Sequence, residues 1–301
     1  MKVRGELVKK LRKEVGLSQE KTAEKMGISQ RYLSYIETGK LEMDIWEFIF
    51  LMEVLGHPKE NFWMLYLDST EYENYLTYRH LNKLLRDNKL EEASKLLPDF
   101  EKGVLAEKTF IKQFVVYVRI FIDREISPEK AIDELLKALK MTTKNYDETN
   151  IANERMTHNE VRILWLIANN LFEIGERDRA IAMLEAIIDS RENIRASEED
   201  KKTLYPSIMV ALSTYLGRMG KIKESIKYCE EGLAISKSYN SLLYVPVLIY
   251  NLACGELTQG AEAHVLKEYI LEAYYCARAI GRHNTAEIIK NDAEKFFGII
   301  I

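Results

Sequence analysis

The chain has 301 residues, 47% hydrophobic and 30% charged, with 14 Gly, 5 Pro, 3 Cys and a formal net charge of -4. At roughly 100–200 residues per domain this is two domains, or one small domain and a long array; the composition excludes collagen, wholesale disorder and a disulfide scaffold, and few Gly and Pro beside abundant Leu, Ile, Lys and Glu predict an all-α chain. No apolar run nears the ~20 residues that span a bilayer, the start at Met1-Lys2-Val3-Arg4 has no signal-peptide core, and Cys229, Cys254 and Cys276 are odd in number and never in a CxxC, so a cytoplasmic protein with reduced thiols and no membrane partner is expected.

Charge is uneven along the chain. Residues 1–42 carry ten Lys and Arg against six Glu, a net +4, and since the total is -4 the remainder carries -8. A basic first segment on an acidic body suits a domain that meets nucleic acid, and it equally suits a solvated helix face. Leu7, Val8, Leu11 and Val15 recur at three to four residues, a helical stripe ending at Gly16. Ser18 offers itself as N-cap of a second helix through Thr22, Ala23 and Met26, which Gly27 ends. Ser29 then caps a third helix, Gln30 to Thr38, stopped by Gly39. Neither cap has Glu or Gln three residues on, since Lys21 and Tyr32 stand there, so no capping box is expected. Two short helices joined so tightly form a helix-turn-helix, with small Ala23 at the crossing and Ile28, Leu33 and Ile36 filling the space between.

The run Leu17-Ser18-Gln19 … Ala23 … Met26-Gly27-Ile28-Ser29 … Ser34-Tyr35-Ile36-Glu37-Thr38-Gly39-Lys40 resembles the helix-turn-helix of the phage-repressor (XRE/Cro) family. The resemblance implies that the helix Gln30–Thr38 enters the major groove of double-stranded DNA, with Gln30, Arg31, Ser34 and Tyr35 facing base edges. Gln pairs bidentately with adenine and Arg with guanine. Gln19 and the amides at the start of helix two would grip a phosphate, Lys40 and Tyr32 would add weaker phosphate contacts, and Arg12 and Lys13 are read as only solvating helix one. The alternative is a helix-turn-helix kept for dimerisation.

A fourth helix, Met43 to Leu55, is expected to turn Ile45, Phe48, Ile49, Leu51 and Met52 inward and to stop at Gly56-His57-Pro58; the apolar stretch 61–67 is expected to be a packed connector. From there helices come in pairs: Tyr72–Arg86 with Leu90–Leu97, Lys108–Asp123 with Pro128–Leu139, a long stretch to Phe172 with Asp178–Ser190, Lys202–Met219 with Ile222–Ser236, and Leu242–Leu257 with Glu262–Ile280. A closing helix covers Thr285–Phe297, and the apolar tail after it should pack onto the last helices. Pro206 and Gly220 recur 40 residues later as Pro246 and Gly260, and Gly175…Ala180-Ile181 returns as Gly220…Ser225-Ile226. Such repetition predicts a right-handed α-solenoid of degenerate tetratricopeptide-like pairs, each burying its neighbours' faces. The domains are then 1–67, a helix-turn-helix with its connector, and 68–301, a repeat domain with a C-terminal cap.

A helix-turn-helix ahead of about five such pairs resembles the RRNPP group of peptide-sensing transcription regulators, particularly its Rgg- and PlcR-like members. That resemblance implies a homodimer on an inverted-repeat operator and a short oligopeptide signal held in the concave face, where asparagines on the first helices of the pairs hold its backbone. Counting back from the turn glycines, one helix face carries Arg162, Leu166 and Asn170, then Ser207, Ala211 and Tyr215, then Val247, Asn251 and Gly255. The adjoining face, Ile163, Ile167, Leu171, Ile208, Leu212 and Leu216, is core-like. Asn170 and Asn251 are the first candidates for peptide contact, because an amide both donates and accepts; Arg162, Asn169, Tyr215, Tyr250, Tyr117 and Gln113 follow. The alternatives are asparagines bonded to neighbouring helix backbone or to water, repeats that dock a partner protein, or a repressor whose body only dimerises. The five His are scattered without metal spacing and no nucleotide or hydrolase motif occurs, so no enzyme, cofactor or metal is expected.

Overall fold

The structure, a computed structural model, describes residues 4–43, 45–56, 69–102, 108–123, 125–154, 156–190 and 198–301, with the side chains of 45, 46, 49, 50, 69–71 and 198–200 outside the description. The connector 61–67, the stop at His57-Pro58, and the inward placement of Ile45 and Ile49 lie outside these residues. Every element among them is helical, in two compact units, Met1–Lys108 and Thr109–Ile301.

The first unit holds α1 (Gly5–Glu14), α2 (Gln19–Met26), α3 (Gln30–Glu37), α4 (Ile45–Val54), α5 (Ser69–Arg86) and α6 (Leu90–Glu101). Leu7, Val8 and Leu11 of α1 bury against Ile36, Met43, Phe48, Leu51, Met52, Leu55 and Tyr72. Each such side chain contributes about 1.5–3 kcal/mol by leaving water. Both serine caps form: Ser18 Oγ accepts from Lys21 N at 3.0 Å and Ser29 Oγ from Tyr32 N at 3.1 Å. Gly27 ends α2 at φ 68°, a left-handed conformation that lets the chain re-enter α3 after two residues. α5 joins this unit through Tyr72 in the core and an ion pair of Glu73 with Lys10. α6 runs past Leu97, where it was expected to end, and carries Pro98 inside it. Phe100, buried and packed 6.4 Å from the Tyr78 ring, holds the last turn despite the missing proline N–H.

The second unit begins with α7 (Thr109–Ile122) and α8 (Pro128–Leu139). The long stretch before Phe172 resolves into a 3-10 turn, Glu148–Asn153, and α9 (His158–Glu173), which starts at a capping box: Thr157 Oγ1 accepts from Glu160 N and Glu160 Oε2 from Thr157 N. Then follow α10 (Arg177–Asp189), α11 (Glu198–Arg218), α12 (Ile222–Ser238), α13 (Val245–Gln259), α14 (Ala263–Ala279) and α15 (His283–Asp292). Each helix packs on the next, and the alternate helices α7, α9, α11, α13 and α15 also touch in sequence, forming one continuous layer of an α-solenoid. The closing helix is shorter than expected and gives way to a π-helical turn, Ala293–Phe297. Of the tail, Phe297, Ile299 and Ile301 pack on the core around Ile270 and Ile289, while Phe296 and Ile300 face solvent.

Candidate functional site

On α3 the apolar and polar sides separate cleanly. Leu33, Ile36 and Glu37 are buried, Gln30 and Arg31 are exposed, and Ser34 and Tyr35 are half-buried. Arg31 Nε donates to the Tyr35 hydroxyl at 2.8 Å, and the same ring lies 5.4 Å from the Arg31 guanidinium and 5.8 Å from Lys40 Nζ. Two cations thus gather around one aromatic ring. Tyr32 is different: its ring packs on the core and its hydroxyl donates to Glu47 on α4 at 3.1 Å.

Arg12 corrects the expectation that it only solvates helix one. It is 6% exposed, its Nε and Nη2 donate to the two Glu37 carboxylate oxygens at 2.5 and 3.1 Å, and its Nη1 donates to Leu17 O at 2.7 Å. Gln19 Nε2 donates to the same carboxylate at 2.7 Å. One buried carboxylate therefore ties α1, the start of α2 and the end of α3 together, and Gln19 keeps one amide hydrogen for a phosphate. α1 also meets α3 through Gly5, where a Cβ would stand 2.2 Å from Ile36 O. Sequence reasoning missed Glu37, yet a signal existed: an acid on a helix meant to approach a polyanion needs an internal partner.

In the second unit the core-like face is as expected, with Ile163, Ile167, Leu171, Ile208, Leu212 and Leu216 buried. The mixed face forms a polar seam across the layer of alternate helices. The Tyr215 hydroxyl on α11 donates to Asn169 Oδ1 on α9 at 2.8 Å, and its ring stacks on Phe172 with centroids 3.9 Å apart. Asn251 Nδ2 on α13 donates to Ser213 Oγ and Thr214 Oγ1 on α11, both at 2.9 Å. The Tyr250 hydroxyl donates to Asp292 on α15 at 2.7 Å. Asn170 stays within its helix, donating to Leu166 O at 2.7 Å. Burial pushes the Tyr215 pKa up to about 12, and burial together with Asp292 raises that of Tyr250, so both hydroxyls remain donors at neutral pH. The amides are thus bonded to neighbouring helices or to their own backbone, and Ser213, Thr214, Phe172 and Asp292 join them unanticipated.

Two candidates lie deeper. Gln113 is 1% exposed; its Nε2 donates to Ala138 O and Thr142 Oγ1, and its Oε1 accepts from Asn159 Nδ2, so it clamps α8 and α9 to α7 and is corrected from groove residue to internal brace. Tyr117 is buried between Phe114 and Phe121, with the Arg162 guanidinium 5.8 Å from its ring and its pKa pushed up to about 12 by burial. Arg162 itself is 9% exposed. Among the described residues no cluster of His, Cys, Asp or Glu is placed to hold a metal, and no helix is long and apolar enough to cross a membrane.

With this geometry in hand, a helix-turn-helix family matches the sequence over residues 8–56. Those residues are a helix-turn-helix domain. The helix-turn-helix and the array behind it together share the fold of solved regulators along nearly their whole length. PlcR of Bacillus thuringiensis, solved in complex with the peptide PapR7 and DNA, aligns at a TM-score of 0.68 and 19% identity over 97% of this chain and all of PlcR. ComR from S. thermophilus, in complex with DNA and its signalling peptide ComS, aligns at 0.57 and 16% over 98% and 99%. The SHP pheromone receptor Rgg2 of Streptococcus dysgalactiae aligns at 0.54 and 16% over 98% and 100%. At these identities the likeness is one of fold. No curated protein matches the chain in sequence.

Proposed function

We propose that the chain is a cytoplasmic transcription regulator of the RRNPP type, a homodimer on DNA whose binding is controlled by a short signalling peptide. The observation that carries this is the joint likeness: a helix-turn-helix domain and a helical-pair array in one chain, matching along their length the fold of PlcR, itself solved with peptide and DNA together. Residues 1–67 act as the DNA-binding domain with its connector, and 68–301 as the peptide-binding and dimerising domain.

In this reading Gln30 and Arg31 read base edges with Ser34 and Tyr35 beside them, and Gln19 and Lys40 fix phosphates, with Tyr32 of α3 set back against Glu47 of α4. The dimer presents two copies of α3 to successive major grooves, about 34–36 Å apart. The peptide lies along the seam, where Asn169, Asn170, Arg162, Tyr215, Tyr250 and Asn251 supply donors and acceptors. A ligand shifts a conformational equilibrium only by its differential affinity for the two states. The seam provides one: a peptide amide that replaces Ser213 and Thr214 as partner of Asn251 unties α13 from α11.

The test is selection of duplexes from a random-sequence pool by the full-length chain, repeated with a pool of short synthetic peptides. Enrichment of an inverted repeat whose half-site centres lie about one helical turn apart, at a level that peptide changes, supports the reading. No enrichment, or enrichment that no peptide alters, overturns it.

A further inference from the structure

Away from the polar seam, the second unit holds an open cavity of about 480 Å³ between the end of α12, the turn 240–242, the start of α13 and the middle of α14. That lies within the ~300–1,000 Å³ typical of small-molecule sites. Its walls are apolar, from Leu233, Val245, Ile249, Leu252 and Tyr269, and Leu242 stands 55% exposed beside them.

Three polar features interrupt those walls. Lys237 and Glu272 both line the cavity, both are exposed, and among the described residues neither forms an ion pair. α13 begins here without a side-chain cap, with Pro246 in its first turn and with no acid in that turn to answer the positive end of its dipole. Ser236, 1% exposed on the cavity wall, has a buried Oγ with no hydrogen-bond partner. Buried hydroxyls are nearly always bonded, so this one marks a place where a polar partner is missing.

We propose that this cavity binds a short apolar peptide with both ends free, of dipeptide to tripeptide size. The carboxylate meets Lys237 and the start of α13, the ammonium meets Glu272, and the side chains cover the apolar walls. A purely apolar occupant would leave both charges unanswered, and a fatty carboxylate would set a second negative charge in the same cavity as Glu272. The zwitterion answers both charges and the start of α13 at once, and leaves the buried Ser236 hydroxyl untouched. The site uses α13 residues other than Tyr250 and Asn251, and it stands apart from DNA reading and from the signalling peptide, so it survives or fails independently of them.

The experiment is calorimetric titration of the full-length chain with leucyl-leucine, its N-acetyl derivative, its C-amide, and decanoate. Expected are saturation by the free dipeptide with a Kd on the order of 1 mM or tighter and about tenfold weaker binding of each blocked form, the worth of one charge-assisted contact. Lys237→Gln shrinks the penalty on the C-amide to the share set by the start of α13 and keeps that on the N-acetyl form; Glu272→Gln removes the penalty on the N-acetyl form and keeps that on the C-amide. Both positions are exposed, so neither variant threatens the fold. The proposal is overturned if the dipeptide does not saturate, if the blocked forms bind as well as the free one, if the two variants leave the penalties unchanged, or if decanoate binds as tightly as the dipeptide.

Discussion

On α3 the polar side chains reach outward: Gln30 and Arg31 are exposed, and the contact between Arg31 and Tyr35 is itself at the surface. Along α9, α11 and α13 the polar side chains reach toward one another, Tyr215 to Asn169, Asn251 to Ser213 and Thr214, Tyr250 onward to Asp292. The first surface is prepared for a partner, because a duplex can meet it at the loss of one exposed bond. The second is closed on itself, and a ligand there must replace bonds each worth about 0.5–1.5 kcal/mol net. Such a seam admits only partners rich in paired donors and acceptors, which a peptide backbone is. In the proposed reading, the contrast separates a preformed DNA-reading surface from a peptide site that changes when it is filled.

The comparison can be broken most forcefully through Glu37. Replacing it with Ala strands Arg12 in the core, where the pair's side chains are 7% and 1% exposed, and should cost about 3–5 kcal/mol in urea unfolding of the helix-turn-helix domain. An unchanged midpoint would mean that the reading head is not held by this carboxylate. Asn251→Ala should cost about 1–2 kcal/mol, since it takes a partner from two hydroxyls, and should also abolish the peptide response. Tyr215→Phe keeps the stack on Phe172 and loses only the bond to Asn169, about 0.5–1.5 kcal/mol by thermal unfolding. Asn170→Ala sharpens the contrast most finely. Its amide bonds its own helix and Ala is the better helix former, so stability should move by less than about 0.5 kcal/mol, while peptide affinity measured by titration should fall about tenfold. Equal losses in stability and affinity would make Asn170 a structural residue.

What the sequence made legible was local. The caps at Ser18 and Ser29, the turn at Gly27 and the stripe Leu7, Val8, Leu11 each depend on neighbours within four residues, and all stand in the structure. The pairing of helices was readable too, because the glycines closing α9, α11 and α13 repeat. Arg12 and Glu37 are 25 positions apart, and no period links them. Gln113 sits on a face indistinguishable by spacing from a groove, but Thr142 and Asn159, 29 and 46 residues away, claim it. α6 outruns its expected end at Leu97 because tertiary burial of Phe100 overrides the local helix breaker Pro98. Side-chain partnerships across helices decide whether a polar residue braces or binds, and those are invisible until the chain is folded.

The central claim, that the outward side of α3 reads bases, is tested most directly by the affinity of full-length Arg31→Ala for its selected operator and for a random duplex, measured by fluorescence anisotropy at one fixed salt concentration. The account predicts a loss of about 1–3 kcal/mol on the operator with little change on the random duplex, whereas Lys40→Ala weakens both alike. If Arg31→Ala weakens both duplexes equally, or neither, α3 is not the reading head.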